Sequence, residues 1–92
     1  MHTHENIQIV YDANKAKINL NKHKVSFDEA KMALFDPNAL VQEDNDHDEP
    51  RFVLIGMANR LLVVVYCYYD DENFIRIISA RLPTKKERQV YE

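Results

Sequence analysis

Three arginines, two histidines and a run of tyrosines carry most of the chemistry available to this 92-residue chain. Arg51, Arg76 and Arg81 are its strongest anion ligands, because a guanidinium donates two parallel hydrogen bonds and never loses its charge. His23 and His47 can give or take a proton, since an unperturbed imidazole titrates at roughly pH 6.5. Tyr66 and Tyr68 lie two apart, share one strand face and could stack on bases, while Tyr69 takes the other face. Ser79 could bond a phosphate oxygen, and Lys85, Lys86 and Arg88 could help hold a polyanion. These are the parts of a phosphate-handling site. Each part also has an ordinary reading: strand-edge arginines paired with acidic loops, a structural His23 in a helix connection, a solvated His47, tyrosines with one face in the core, a backbone-bonded Ser79 and a solvated terminal helix. Taken one at a time, the residues leave both readings open.

Composition narrows the setting. A chain of this length holds one hydrophobic core, so residues 1–92 form a single domain and any site lies on its surface. Residues 1–6, with His2 and His4, read as a disordered end. With 46% hydrophobic and 29% charged residues the chain has the balance of a soluble globular protein rather than a disordered one. Its longest apolar run, Leu61 to Tyr68, falls far short of the roughly 20 residues of a membrane span. The N-terminus lacks the basic and apolar regions of a signal peptide, which points to the cytoplasm. Cys67 is the only cysteine, so an internal disulfide and a thiolate zinc site are excluded. His47 among Asp46, Asp48 and Glu49 has no recognisable metal-ligand spacing, and no metal or cofactor is expected. The net charge of −3 does not advertise a nucleic-acid binder. Its distribution does more. Glu43, Asp44, Asp46, Asp48 and Glu49 form one acidic loop and Asp70, Asp71 and Glu72 a second. Lys15, Lys17, Lys22 and Lys24 mark the N-terminal third, and Arg76, Arg81, Lys85, Lys86 and Arg88 the C-terminal end, so an acidic protein can still present a basic face.

The elements that must position these groups follow from periodicity and caps. Ile7-Gln8-Ile9-Val10 predicts a strand, and Asp12 an N-cap for a helix over 13–22. Ser26 with Glu29 is a capping box for a second helix, whose apolar stripe is Phe27, Ala30, Ala33 and Leu34 and which Asp36-Pro37 ends. The short connection Asn21–Lys24 makes the two helices a hairpin that must cover a sheet. Ala39-Leu40-Val41 predicts a short strand, 51–57 another, and 58–60 a hairpin turn. Residues 61–69 are apolar throughout, as a central strand covered on both faces should be. Residues 74–80 return as the last strand, and Thr84 with Glu87 is a capping box for a terminal helix ending near Tyr91. The order is β-α-α-β-β-β-β-α, an α+β domain on a mainly antiparallel sheet.

Read in order, Lys22-His23-Lys24-Val25-Ser26-Phe27, Glu29-Ala30 and Phe35-Asp36-Pro37 make one group of motifs. Arg51-Phe52, Ile55-Gly56, Leu62-Val63-Val64-Val65-Tyr66, Arg76-Ile77-Ile78-Ser79-Ala80-Arg81, Glu87-Arg88 and Tyr91 complete the set. This set resembles the BrnT family of type II toxins over nearly the whole chain. The resemblance implies a RelE-like fold, cleavage of RNA, and neutralisation by a BrnA-like antitoxin of the ribbon-helix-helix class, with DNA reached only through that antitoxin. It shifts Arg51 and Arg81 from the ordinary reading to the functional one. Two departures stand out. The family usually has glycine where this chain has Lys24, and commonly an arginine where it has Tyr69; if that arginine stabilises the scissile phosphate, this chain is a weakened nuclease.

Metal-free RNA cleavage uses the 2′-hydroxyl as nucleophile, so it needs a base, an acid for the leaving 5′-oxygen, and cations for the phosphorane charge. The leading reading is an endoribonuclease with Arg51, Arg76 and Arg81 around the phosphate and His23 and His47 as acid or base. Tyr66, Tyr68, Ser79, Lys85 and Arg88 would hold RNA. The alternative is a catalytically poor homologue acting mainly as the protein-binding half of an autoregulatory complex. The antitoxin is expected to mask the arginine face, and the acidic loop could receive a basic partner segment.

Overall fold

The structure, a computed structural model, describes residues 7–46, 48–69 and 73–92. Its elements are β1 (Gln8–Val10), α1 (Ala13–His23), α2 (Phe27–Leu34), β2 (Leu40–Asp44), β3 (Arg51–Met57), β4 (Leu61–Tyr69), β5 (Phe74–Arg81) and α3 (Lys85–Tyr91). This is the order read from the sequence. The five strands form one sheet, β1-β5-β4-β3-β2, antiparallel except for the β1–β5 pair. Five boundaries differ, and two of them are starts: β1 begins at Gln8 rather than Ile7, and β2 at Leu40 rather than Ala39. Strand β2 runs on to Asp44, because Glu43 and Asp44 pair with Phe52 and Arg51, so part of the expected acidic loop is strand. Strand β5 runs on to Arg81, paired with Val63, and α1 includes His23.

Caps explain where the helices begin and stop. Asp12 accepts from Asn14 N–H to open α1, and Ser26 accepts from Glu29 N–H to open α2. The expected capping box at Ser26 is only half made. The Glu29 carboxylate is drawn off by Arg60, which donates to it at 2.9 and 3.1 Å and to Lys24 C=O at 2.8 Å. That triangle ties the corner between the helices to the β3–β4 turn. At Thr84 the box is complete. Lys24 closes α1 in the left-handed region, φ 60°, with its N–H donating to Leu20 C=O. A side chain there costs roughly 1 kcal/mol that glycine would not, which gives a physical reason for glycine in the motif this chain resembles.

Helices α1 and α2 cover the inner face of the sheet, where Val25, Phe27, Ala30, Ala33 and Leu34 meet Leu54, Leu62, Val64, Tyr66, Ile75, Ile77 and Ala80. Gly56 lets α2 approach the sheet closely: a Cβ there would lie 2.6 Å from Ala33 O. Helix α3 lies on the outer face, over Val53 and Ile55.

Asn19 is the one buried polar residue among those described. Strand β1 pairs only with Phe74–Arg76, leaving the rest of the β5 edge open. The Asn19 carboxamide closes it, donating to Ala80 C=O at 2.8 Å and to Val25 C=O at 2.9 Å while accepting from Ala80 N–H at 3.2 Å. One side chain thus stands in for a missing strand. Asn19→Ala leaves these buried backbone groups unpaired, each worth about 1–3 kcal/mol. A urea titration of the variant should show a loss of about 3 kcal/mol or more; a change under about 0.5 kcal/mol would mean that water replaces the amide.

Candidate active site

The alternation of β3, β4 and β5 sends one set of side chains to the outer face. Arg51, Val53, Ile55 and Met57 belong to it from β3, and Leu61, Val63, Val65, Cys67 and Tyr69 from β4. On β5 a bulge decides the matter. Val65 pairs with Ser79 but Tyr66 with Ile77, so Ile78 is the extra residue. Above the bulge Arg81 and Ser79 face outward, below it Arg76 and Phe74 do. Without it Arg76 would point into the helices.

The result is a cross-strand row. Arg76 pairs with Cys67, and Arg51, one step past the Phe52–Tyr66 pair, lies opposite Cys67 on the other side. The two arginines stand two strand spacings apart, about 10 Å between Cα atoms, over a buried thiol. That span lets two guanidinium groups converge on one phosphate. Arg76 makes a loose ion pair with Glu49 at 3.7 Å, about half exposed. Such contacts contribute about 0–1 kcal/mol and yield readily to a better anion. The Nε of Arg51 is buried and has no hydrogen-bond partner among the described residues.

Arg81 stands elsewhere. It lies roughly 15 Å further along β5, and its guanidinium grips Glu87 with two bonds of 2.8 Å while donating to Leu82 C=O at 3.2 Å. The three arginines do not surround one phosphate. Arg81 instead braces α3 against the sheet, and Glu87 is bound so well that its pKa falls from 4.5 to about 2, chiefly through the Arg81 hydrogen bonds. At its far end α3 is tied down by Tyr91, whose hydroxyl donates to Asp36 at 2.5 Å. Asp36 also accepts from the N–H groups of Asn38 and Met57, and these bonds together hold its carboxyl below the usual range, Tyr91 being the largest cause.

The aromatic residues divide between the faces. Tyr66 is 4% exposed and its ring stacks on Phe52 at 5.5 Å, so it is core and no base can stack on it. Burial pushes its hydroxyl far above the ordinary tyrosine range. Tyr68 is half-buried and edge-on to Phe52 and Tyr66 at 5.3 and 5.7 Å. Both belong to the inner face, lining a 360 Å³ cleft with Asp36, Pro37 and Val41, away from the arginines. Tyr69 is the outward aromatic, stacked on Phe74 at 5.0 Å one row from Arg51 and Arg76. The parity that puts Tyr69 beside Cys67 was readable in the sequence; Phe74 as its partner was not.

His23 and Ser79 come together unexpectedly, in a 200 Å³ groove between α1 and β5 lined also by Lys15, Ile18, Asn19, Lys22 and Ile78. Lys85 and Arg88 are exposed on α3. His47 lies outside the described residues. Among the described residues no three His, Cys, Asp or Glu side chains gather as metal ligands, and no helix is long and apolar enough to cross a membrane.

Residues 11–87 match the family described as the ribonuclease toxin BrnT of type II toxin–antitoxin systems. The chain belongs to the BrnT family. The matched span runs from the residue before the α1 cap to Glu87, so it takes in both arginines of the row and both ends of the Arg81–Glu87 brace. Among curated proteins no relative matches the chain. Membership makes this a type II ribonuclease toxin by family and implies an antitoxin partner. The helix brace of this BrnT-family chain has a pH signature. Because the folded pKa of Glu87 is depressed, its contribution is complete above pH 4.5 and is lost as pH falls towards about 2. Denaturation midpoints measured between pH 7 and pH 3 should fall less steeply for Glu87→Gln than for the parent; parallel curves would show that Arg81 does not hold Glu87 in solution.

Proposed function

We propose that this chain is a metal-independent endoribonuclease that arrests growth by cutting RNA, and that a ribbon-helix-helix antitoxin holds it inactive. The observation that carries the reading is the Arg51–Cys67–Arg76 row, which sets two arginines on one face with Arg76 held, among the described residues, by an exposed carboxylate at 3.7 Å. In this reading the scissile phosphate lies across Cys67. The 2′-oxygen attacks phosphorus, the bond to the 5′-oxygen breaks, and the charge on the equatorial oxygens is met by the two arginines. His47 is the proton carrier in this reading, since His23 stands in the α1–β5 groove rather than at the row. Tyr69 and Phe74 offer the adjoining base a stacking surface, and Lys85 and Arg88 add positive charge along α3. Arg81 acts through α3 as a positioning residue.

A second reading, a toxin homologue that mainly binds its antitoxin, has support of its own. Tyr69 stands where the family commonly has arginine, its ring is taken up by Phe74, and Arg81 is taken up by Glu87. Masking the arginine row is the simplest inhibition, and the remaining acid, Asp46, Asp48 and Glu49, could anchor a basic segment of the antitoxin.

Induced expression in bacteria separates the two. Growth arrest with loss of RNA integrity, relieved by the antitoxin and abolished by Arg76→Ala, is the expected result, with cleavage by purified protein persisting in EDTA. Removing such a charge-stabilising group costs about 100-fold or more in rate. Healthy growth on folded parent protein, with toxicity gained by Tyr69→Arg, would instead establish the second reading.

A further inference from the structure

Helix α1 holds three lysines and, from Ala13 to His23, no carboxylate. Lys15, Ile18, Asn19, Lys22 and His23 stand at i, i+3, i+4, i+7 and i+8, so they share one helix face. Asn19 fixes how that face is aimed, since its bonds to Ala80 press it against the open edge of β5. The groove so formed is closed on its far side by Ile78 and Ser79. No carboxylate lines it, and neither lysine is ion-paired among the described residues. Ile18, 63% exposed, leaves an apolar patch between the two lysines. On a protein of net charge −3, an uncompensated basic groove with an apolar centre is a feature in need of an occupant.

Ser79 belongs to this groove and also to the outer face, in the row between Arg76 and Arg81. Because β1 stops at the level of Arg76, no strand stands between the arginine face and the groove. We infer that the α1–β5 groove is a second subsite for single-stranded RNA, which binds phosphates flanking the cleaved bond at Lys15 and Lys22 and sets a ribose or base against Ile18. The inference rests on the nuclease reading and extends it. An RNA strand crossing the arginine row turns over the β5 edge at Ser79 and continues along α1, where His23 offers a further donor. An acidic protein segment would also suit two lysines; the continuity with the phosphate face through Ser79 favours RNA.

The test uses 2′-O-methyl RNA, which cannot be cut because the nucleophile is blocked, in a short form of about four nucleotides and a long form of about twelve. Binding is followed by fluorescence anisotropy over a salt series for the full chain, for Lys15→Ala/Lys22→Ala and for Arg76→Ala. The double variant should bind the short strand like the parent, bind the long strand about tenfold more weakly, and lose about 1.4 from the salt slope, the amount for two phosphate contacts on a single strand. Circular dichroism checks that it folds, as exposed lysines should allow. Unchanged long-strand binding with a loss in Arg76→Ala overturns the groove and leaves the nuclease reading standing. A parent chain that binds neither strand sinks both. Loss of antitoxin binding in the double variant, with RNA binding unaltered, would assign the groove to an acidic protein partner instead.

Discussion

Strand β4 has buried residues on both of its faces, and two helices can cover only one side of a sheet. The other side has to be closed by whatever the chain has left. Helix α3 closes part of it, bridging Arg81 at one end and Asp36 at the other, and beyond it Arg51 and Arg76 flank Cys67 in the register of the outer face. A hydrophobic requirement therefore places the charges. Long cationic side chains can cover apolar surface while keeping their heads in water, which suits arginines to the part of the outer face that α3 leaves uncovered.

The same constraint separates the roles of the arginines. Arg81 is spent on holding α3, with a bidentate bond that depresses its partner's pKa to about 2. Among the described residues Arg76 has only a weak exposed pair, and no ion pair is made by Arg51. A group that stabilises the fold is poorly placed to bind a further anion, because the newcomer would have to displace a well-matched carboxylate first. The molecule keeps firm electrostatics at the brace and loose electrostatics at the row.

The open edge of β5 is a second consequence of economy. A three-residue β1 leaves half of that edge without a strand, and Asn19 satisfies it with one amide. The arrangement costs a buried polar side chain, but it orients α1 so that its lysines border the sheet edge. A longer β1 would have walled the groove off from the outer face.

Most of the fold was legible in the sequence. Periodicity and caps specified eight elements in the right order, with β3 and β4 bounded correctly, because these signals are local: Ser26 and Thr84 bond to residues three positions on, and the β-branched, apolar run 61–69 suits a central strand buried on both faces over most of its length. The arginines, histidines and tyrosines were legible as residue types, and the family as an ordered set of motifs. What each does with its charge or ring was decided by contacts across the chain. The bulge at Ile78 brings Arg76 to the face of Arg51, reversing the parity that counting from Arg81 would give. The capture of Glu29 by Arg60 and of Arg81 by Glu87, the burial of Tyr66 under Phe52, and the meeting of His23 with Ser79 all join side chains that only the closed sheet brings together. Local sequence determines where hydrogen-bonded elements begin and end; register and competition among distant partners determine which side chains remain free to act.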